Sequence, residues 1–312
     1  MTDHGIRSGS LQFYPRKRVR KILPSVNWRP VKADSGLLGF IGYKVGMVSV
    51  LAKDNTPDSL TKGKRVVVPG TIIECPELKI FSVRFYNNGL VVGDVLVSND
   101  KALKKKVKIS KDVKKIEDFK KDYDDLSVIV YTDVSKTGLK KSPDMIELGL
   151  AGSKEDKLSF IKEMLGKGIS IVDVFSEGLV DVRGTTIGRG LQGPVKRFGI
   201  SLKASKSEKG QRRPGSLAPW HPARVTFRAP QAGQTGFHHR ITYNNLILQV
   251  GKIAEKDINS KAGFHRYGNI KTDYIILRGS IPGPKKRPLM ITKAIRPTKL
   301  QAKKSFEVLE IR

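Results

Sequence analysis

Apolar and polar positions along this chain come in short runs divided by turns, a pattern that predicts strands far more often than helices. Residues 37–51 (LLGFIGYKVGMVSVL) form an abrupt apolar block. Strand runs follow at 65–68 continuing at 71–74, at 79–86 (KIFSVRFY) and at 90–97, with Asn87-Asn88-Gly89 as a turn before the last. Four short strands in succession predict a β-barrel or sandwich. Further apolar runs lie at 127–132, 145–150, 170–175 and 179–182. Regular strand pattern returns at 245–253, 274–278, 288–292 and 306–311.

The clearest helix covers 153–165. Ser153 caps it, Asp156 stands three residues on, Leu158, Ile161 and Leu165 share a face, and Gly166 ends it. Leu103, Val107, Val113, Ile116 and Phe119 have partly helical spacing. The fold class expected is mainly β with an α+β insertion. A β domain spans 35–97 and 173–312, and a small α+β domain (98–172) is inserted between its strands. No repeat is evident.

Two stretches have no periodicity. Residues 1–34 carry eight cations (Arg7, Arg16, Lys17, Arg18, Arg20, Lys21, Arg29, Lys32) and two acids, and Pro15, Pro24 and Pro30 break any helix, so they read as a basic arm. Residues 181–240 hold twelve Lys or Arg and two acids, a net +10. Within them, 182–199 (VRGTTIGRGLQGPVKRFG) and 203–213 are dense in glycine and cations. Ordering each residue costs about 1–2 kcal/mol, and so little apolar area offsets that cost that the segment is expected to need a polyanion. By contrast, 101–160 has fifteen cations against eleven acids, the balance of an ordinary solvated surface.

Charge sharpens this picture. The 312 residues carry 59 Lys+Arg against 29 Asp+Glu, a net +30, which repels itself unless a negative partner is present. Clustered charge of this size points to nucleic acid. No apolar run approaches the roughly 20 residues of a membrane span, and no signal peptide or lipid-anchored helix is expected. Cys75 is the single cysteine, so disulfides within the chain and cysteine-rich zinc sites are excluded; a packed, inert thiol in a reducing compartment is expected.

Catalytic chemistry finds little footing. Gly188-Arg189-Gly190-Leu191-Gln192-Gly193 matches the dinucleotide fingerprint, but Pro194 follows and no apolar helix is expected after it to hold a pyrophosphate. The glycines instead let the backbone turn tightly and approach phosphates. His4, His221, His238, His239 and His265 have no acids nearby to complete a metal set or a triad, and contact with RNA suits their basic setting better. Trp220, between Pro219 and His221-Pro222, sits on a stiff loop and is expected to stack on a base or fill an RNA cavity. Candidate RNA-binding residues are therefore Arg16, Lys17, Arg18, Arg20, Lys21, Arg183, Gly188, Arg189, Gly190, Gln192, Gly193, Lys196, Arg197, Lys203, Lys206, Arg212, Arg213, Trp220, His221, Arg224, Arg228, Gln234, His238, His239, Arg240, Lys285, Lys286 and Arg287. The rival classes are an RNA-modifying enzyme on a basic platform and a DNA-compacting protein.

The same segments carry a resemblance. Phe40-Ile41-Gly42-Tyr43-Lys44-Val45-Gly46-Met47 resembles the opening strand of the universal large-subunit ribosomal protein number three ("L-three") family. Residues 182–199, 215–225, 232–238 (AGQTGFH) and 281–284 (IPGP) fall in that family's order, so the resemblance spans about 35–312. Length, arm and insertion look like the archaeal and eukaryotic branch. The resemblance implies a translation-factor-type closed β-barrel and an extension, 184–240 with Trp220 near its tip, running into ribosomal RNA toward the peptidyl transferase centre. It implies a structural, non-catalytic role in the large subunit, in the cytoplasm, with early assembly. The implied partners are ribosomal RNA and universal subunit protein number fourteen, with no membrane and no small-molecule substrate, and no cofactor beyond the structural Mg2+ of the RNA. Two positions depart from the family: Gln211 stands where relatives often have a histidine, and Thr235 where they often have Met or Arg.

Overall fold

The computed structural model describes residues 9–11, 13–33, 35–110, 113, 116–119 and 121–312; the expectations for His4 and Arg7 lie outside them. The chain is mainly β, with 36% strand and 11% helix among the described residues. It divides into two compact units. The body is Ile22–Gly184 with Arg240–Arg312. The arm–extension unit joins residues through Lys21 with Thr185–His239.

In chain order the strands are β1 Gly36–Leu37, β2 Gly39–Asp54, β3 Arg65–Cys75, β4 Leu78–Asn87, β5 Leu90–Leu96, β6 Asp125–Thr132, β7 Met145–Ala151, β8 Leu179–Thr185, β9 Leu191–Gln192, β10 Gly233–Gln234, β11 His239–Gly251, β12 Asp273–Arg278, β13 Pro288–Lys293 and β14 Phe306–Ile311. Seven make one sheet in the order β13-β8-β11-β12-β3-β2-β14, and β13 also pairs with β2, so the ladder returns on itself. A second sheet has the order β1-β7-β6-β4-β5. The expectation that 79–86 and 90–97 belong with the strands before them is corrected here. β4 gives its edges to β5 and β6, with Val83 opposite both Val95 and Val128.

Strand alternation divides the core. In β12, Ile275 and Leu277 join Phe40, Ile73 and Met290 on one side, while Tyr274 and Ile276 join Val50, Ile72 and Leu248 on the other. The first cluster continues through Val83, Phe85, Val128 and Leu148 of the second sheet, so residues 98–172 share this core rather than closing one of their own. Cys75 lies fully buried in it, and burial pushes its thiol pKa up, the state of a packed, unreactive sulfur.

Helix α1 (Lys154–Met164) forms where the pattern places it. Ser153 accepts from the Asp156 amide and the Asp156 carboxylate answers the Ser153 amide, a full capping box. Ile161 is its buried residue. Among the described residues, the partly helical spacing at 103–119 yields 3-10 turns, Lys101–Lys105 and Ile116–Asp118. The run at 170–175 is not a strand; it folds as turns, with Phe175 N–H donating to Ile171 O at 2.9 Å.

Candidate nucleic-acid interface

The arm–extension unit is built around a narrow ribbon. Gln192 pairs with Gly233 and Leu191 with Gln234. The ladder continues with Arg189 N–H to Thr235 O (2.9 Å) and Thr186 N–H to His238 O (2.9 Å). Gly236 turns at φ +71°, where an added Cβ would collide with the Ile187 carbonyl, so no other residue fits. Gly190 and Gly193 are the opposite case. Nothing lies within 4 Å of a Cβ added at either, which leaves their backbone open to a partner.

A short helix, α2 (Pro194–Phe198), follows Gly193 where the sequence reading expects none. Pro194 stands in its first turn, Gly199 ends it at φ +65°, and Phe198 is buried. Five residues do not restore a dinucleotide site. Phe198 and Thr185 are the only buried side chains among the described residues of this unit.

Arg16 lies over the Phe198 ring (4.6 Å) and beside Tyr14 (5.3 Å), and it donates to the Arg197 carbonyl at 3.2 Å. Arg197 in turn donates to Gln231 O at 3.0 Å, and burial, followed by the charge of Arg16, lowers its pKa. The His238 ring meets Lys17 O at 3.0 Å and the His239 ring meets Lys21 O at 2.8 Å. Arg16, Arg197, His238 and His239 thus stitch the arm to the ribbon, although the sequence reading places them against RNA. The two adjacent histidines, His238 just before β11 and His239 at its start, reach two different arm carbonyls.

The remaining cationic candidates of this unit face solvent. Lys17, Arg18, Arg20, Lys21, Arg189, Lys196, Lys203, Lys206, Arg212, Arg213, Arg224 and Arg228 are all exposed, as is Lys209, which the sequence reading passes over. Glu208 is the only acid among the described residues of the unit. From 199 to 239 no residue is buried. Gln211 donates to Ser205 O at 3.1 Å and accepts at its carbonyl from Lys203 N–H, closing a tip loop. Trp220 is 88% exposed, outside any helix or strand, with His221 exposed beside it. Gly188 is exposed, while Gln192 and Gln234 are half-buried in the ribbon.

The body holds the other candidates. Arg183, expected among the RNA-binding residues, lies inside the body. It is 5% exposed in β8, paired with Met290 of β13, and burial lowers its pKa. Its strand position fixes this, because its neighbours Val182 and Gly184 are packed too. Arg240 is half-buried in β11. Before β13, Lys286 is exposed, while Lys285 and Arg287 are half-buried; burial lowers the Arg287 pKa. Lys286 N–H donates to Lys44 O (2.7 Å) and Lys285 Nζ to His265 O (2.7 Å). Lys44 spends its ammonium on Ile281 O and Gly283 O, and burial, then Lys285, lowers its pKa.

The family model for ribosomal protein L3 matches residues 3–92 and 95–310 of this sequence. The chain belongs to that family. It is 41% identical to the large ribosomal subunit protein uL3 of Methanothermobacter thermautotrophicus, over 94% of this chain and 92% of the relative. The protein of the same name from Methanosphaera stadtmanae is 40% identical over 94% and 92% of the two chains. That of Archaeoglobus fulgidus is 40% identical over 96% and 94%.

Among the described residues no group of three or more His, Cys, Asp or Glu could hold a metal ion, and no helix is long and apolar enough to cross a membrane. Sequence reasoning also passed over the exposed apolar residues Leu191 (76%) and Phe227 (66%), the latter edge-on to Tyr14 at 5.3 Å. Their signal is present in the sequence, as large apolar residues inside an otherwise polar, basic stretch.

Proposed function

We propose that the chain is an architectural RNA-binding protein whose arm–extension unit lies against folded RNA. As a member of its family it is a structural constituent of the large ribosomal subunit, in the cytoplasm, and not an enzyme. Large-subunit ribosomal RNA and neighbouring ribosomal proteins are its partners, and the family gives no reason to expect a cofactor.

One observation carries the finer reading: the described residues of the unit hold thirteen exposed cations, a single acid and two buried side chains. Such a surface is stable when phosphates neutralise it and release their counterions. Arg212, Arg213, Lys203, Lys206 and Lys196 take phosphates. Gly190 and Gly193 admit the RNA backbone closely. Trp220 stacks on a base or wedges between RNA helices. By family resemblance, the seven-stranded sheet is the translation-factor-type barrel, with 98–172 inserted in sequence between its strands and 1–34 as its basic arm. The extension, 184–240, runs toward the peptidyl transferase centre, and universal subunit protein number fourteen lies alongside.

Binding of the purified chain to a structured large-subunit RNA fragment, measured across salt, tests this. Ten phosphate contacts predict a log–log slope of about −7 to −9. A slope near zero would falsify the reading. Duplex DNA competing as well as the RNA would favour a DNA-compacting protein instead.

A further inference from the structure

The body contains a cleft of about 1100 Å³ between residues 25–33 and the five-stranded sheet. Four cations line it: Lys157, which is paired with Asp125, Arg29 and Lys32, both exposed, and Lys293, half-buried at the end of β13. The side-chain charges of Arg29, Lys32 and Lys293 have no hydrogen bond or ion pair among the described residues; the Arg29 backbone N–H donates to Asn27 Oδ1 at 3.2 Å. Acids line it too, but their charge is largely taken. Asp125 is paired with Lys157 at 2.5 Å. Glu147 accepts from Arg84 (2.9 Å), Ser127 (2.6 Å) and the Tyr86 hydroxyl. Among the described residues, Asp124 accepts from the Asn88 amide at 2.8 Å. Free charge in the cleft is therefore positive.

Its floor is apolar and rigid. Leu38 and Ile146 line it beside Trp28. The indole is fixed at its edge, with Nε1 donating to Glu147 O at 3.2 Å. It is fixed against the strands by Gly39 and Gly149, where an added Cβ would stand 2.8 Å from indole-side-chain atoms. Pockets that bury a small ligand hold about 300–1,000 Å³, apolar walls and a few placed polar groups. This cleft is somewhat larger than that range, with an aromatic and three cations whose side chains have no partner among the described residues.

We propose that the cleft is a second RNA-binding site, taking a single-stranded stretch with phosphates on Arg29, Lys32 and Lys293 and one unstacked base on the Trp28 side. The proposal rests on the RNA-binding reading above. Unstacked bases in loops and bulges seek aromatic faces flanked by cations. The paired acids line the cleft without cancelling those cations, and they give a base edge acceptors to meet.

The test uses the full chain bound to a large-subunit RNA fragment, irradiated and mapped by peptide. A nucleotide adduct is expected on the peptide containing Trp28. It should vanish in Arg29→Ser/Lys32→Ser/Lys293→Ser and persist in Arg212→Ser/Arg213→Ser. The triple variant should also flatten the salt slope by about 2–3, at 0.7–0.9 per phosphate contact. Should the triple variant melt early, Lys32→Gln, at an exposed position, should still flatten the slope by about 0.7–0.9. A missing Trp28 adduct, an adduct indifferent to the triple variant, or an unchanged slope overturns the cleft site while the extension still binds. Loss of all RNA binding by the native chain sinks the underlying reading instead. An adduct that joins Trp28 to a neighbouring protein in intact subunits overturns the proposal in favour of a protein partner.

Discussion

The five-stranded sheet and the arm–extension unit are both rich in lysine and arginine, yet they spend that charge in opposite ways. Nine of the eleven ion pairs among the described residues join side chains of residues 77–162. The arm–extension unit has one, Lys209–Glu208, at 4.0 Å between exposed side chains. The sheet covers a core containing Phe85, Val128 and Leu148. The unit has Phe198. Charge that has partners at home makes a solvated surface, and charge without them marks where an outside polyanion belongs.

The strongest way to separate the two regions is to remove one aromatic from each. Phe85, 1% exposed and stacked on Phe119 at 4.0 Å, should cost about 3–5 kcal/mol on replacement by alanine, read as a lower denaturation midpoint. RNA affinity per folded molecule should not change. Phe198→Ala should leave the body's transition in place. Amide exchange across 16–21 and 186–198 should instead speed up by roughly a hundredfold, the local equivalent of about 3 kcal/mol. A global loss of stability from Phe198→Ala would erase the distinction.

Charge removal sharpens it next. Arg212→Ala/Arg213→Ala should flatten the salt slope of RNA binding by about 1.4–1.8 without moving the melting curve. Alkali should act on the sheet. Burial first, then Asp100, which accepts from the hydroxyl at 2.8 Å, holds the Tyr131 pKa up at about 12 from 10.0. The folded state keeps this proton more tightly than the unfolded state does. The contribution is therefore whole below pH 10 and is lost as pH rises from 10 to 12. Thermal scans over that window should show the fall, and Tyr131→Phe should shrink it. The smallest effect belongs to Lys136→Ala, which breaks an exposed pair with Glu77 at 2.7 Å. It should change stability by about 0–1 kcal/mol and RNA affinity not at all.

Strand positions were legible because burial on one face forces alternation, and burial on both forces apolar runs such as Tyr274–Leu277 in β12. The α1 cap was legible because its two hydrogen bonds need only local residues, Ser153 and Asp156. Sheet membership was not. β3 and β4 follow each other closely and read alike, and only the long-range pairing of Val83 with Val128 assigns β4 to the second sheet. The site was half legible. Exposure of Lys203, Arg212, Arg213 and Trp220 follows from the lack of apolar neighbours. Arg16, His238 and His239 looked the same as those residues, because a cation or imidazole bound to a backbone carbonyl far along the chain leaves no mark on its own surroundings. The burial of Arg183 was not legible, because one arginine in a glycine-rich stretch does not reveal that its strand is covered on both faces.

The stitch between Arg16 and Arg197 spans 181 residues, and that between Lys17 and His238 spans 221. A polypeptide grows from its N-terminus at about 5–20 residues per second, so the arm emerges roughly 9–36 s before Arg197 exists to receive it. Throughout that interval Arg16 to Lys21 form a bare polycationic tail on a nascent protein. This early-made stretch of the chain is thus among the last to find its place.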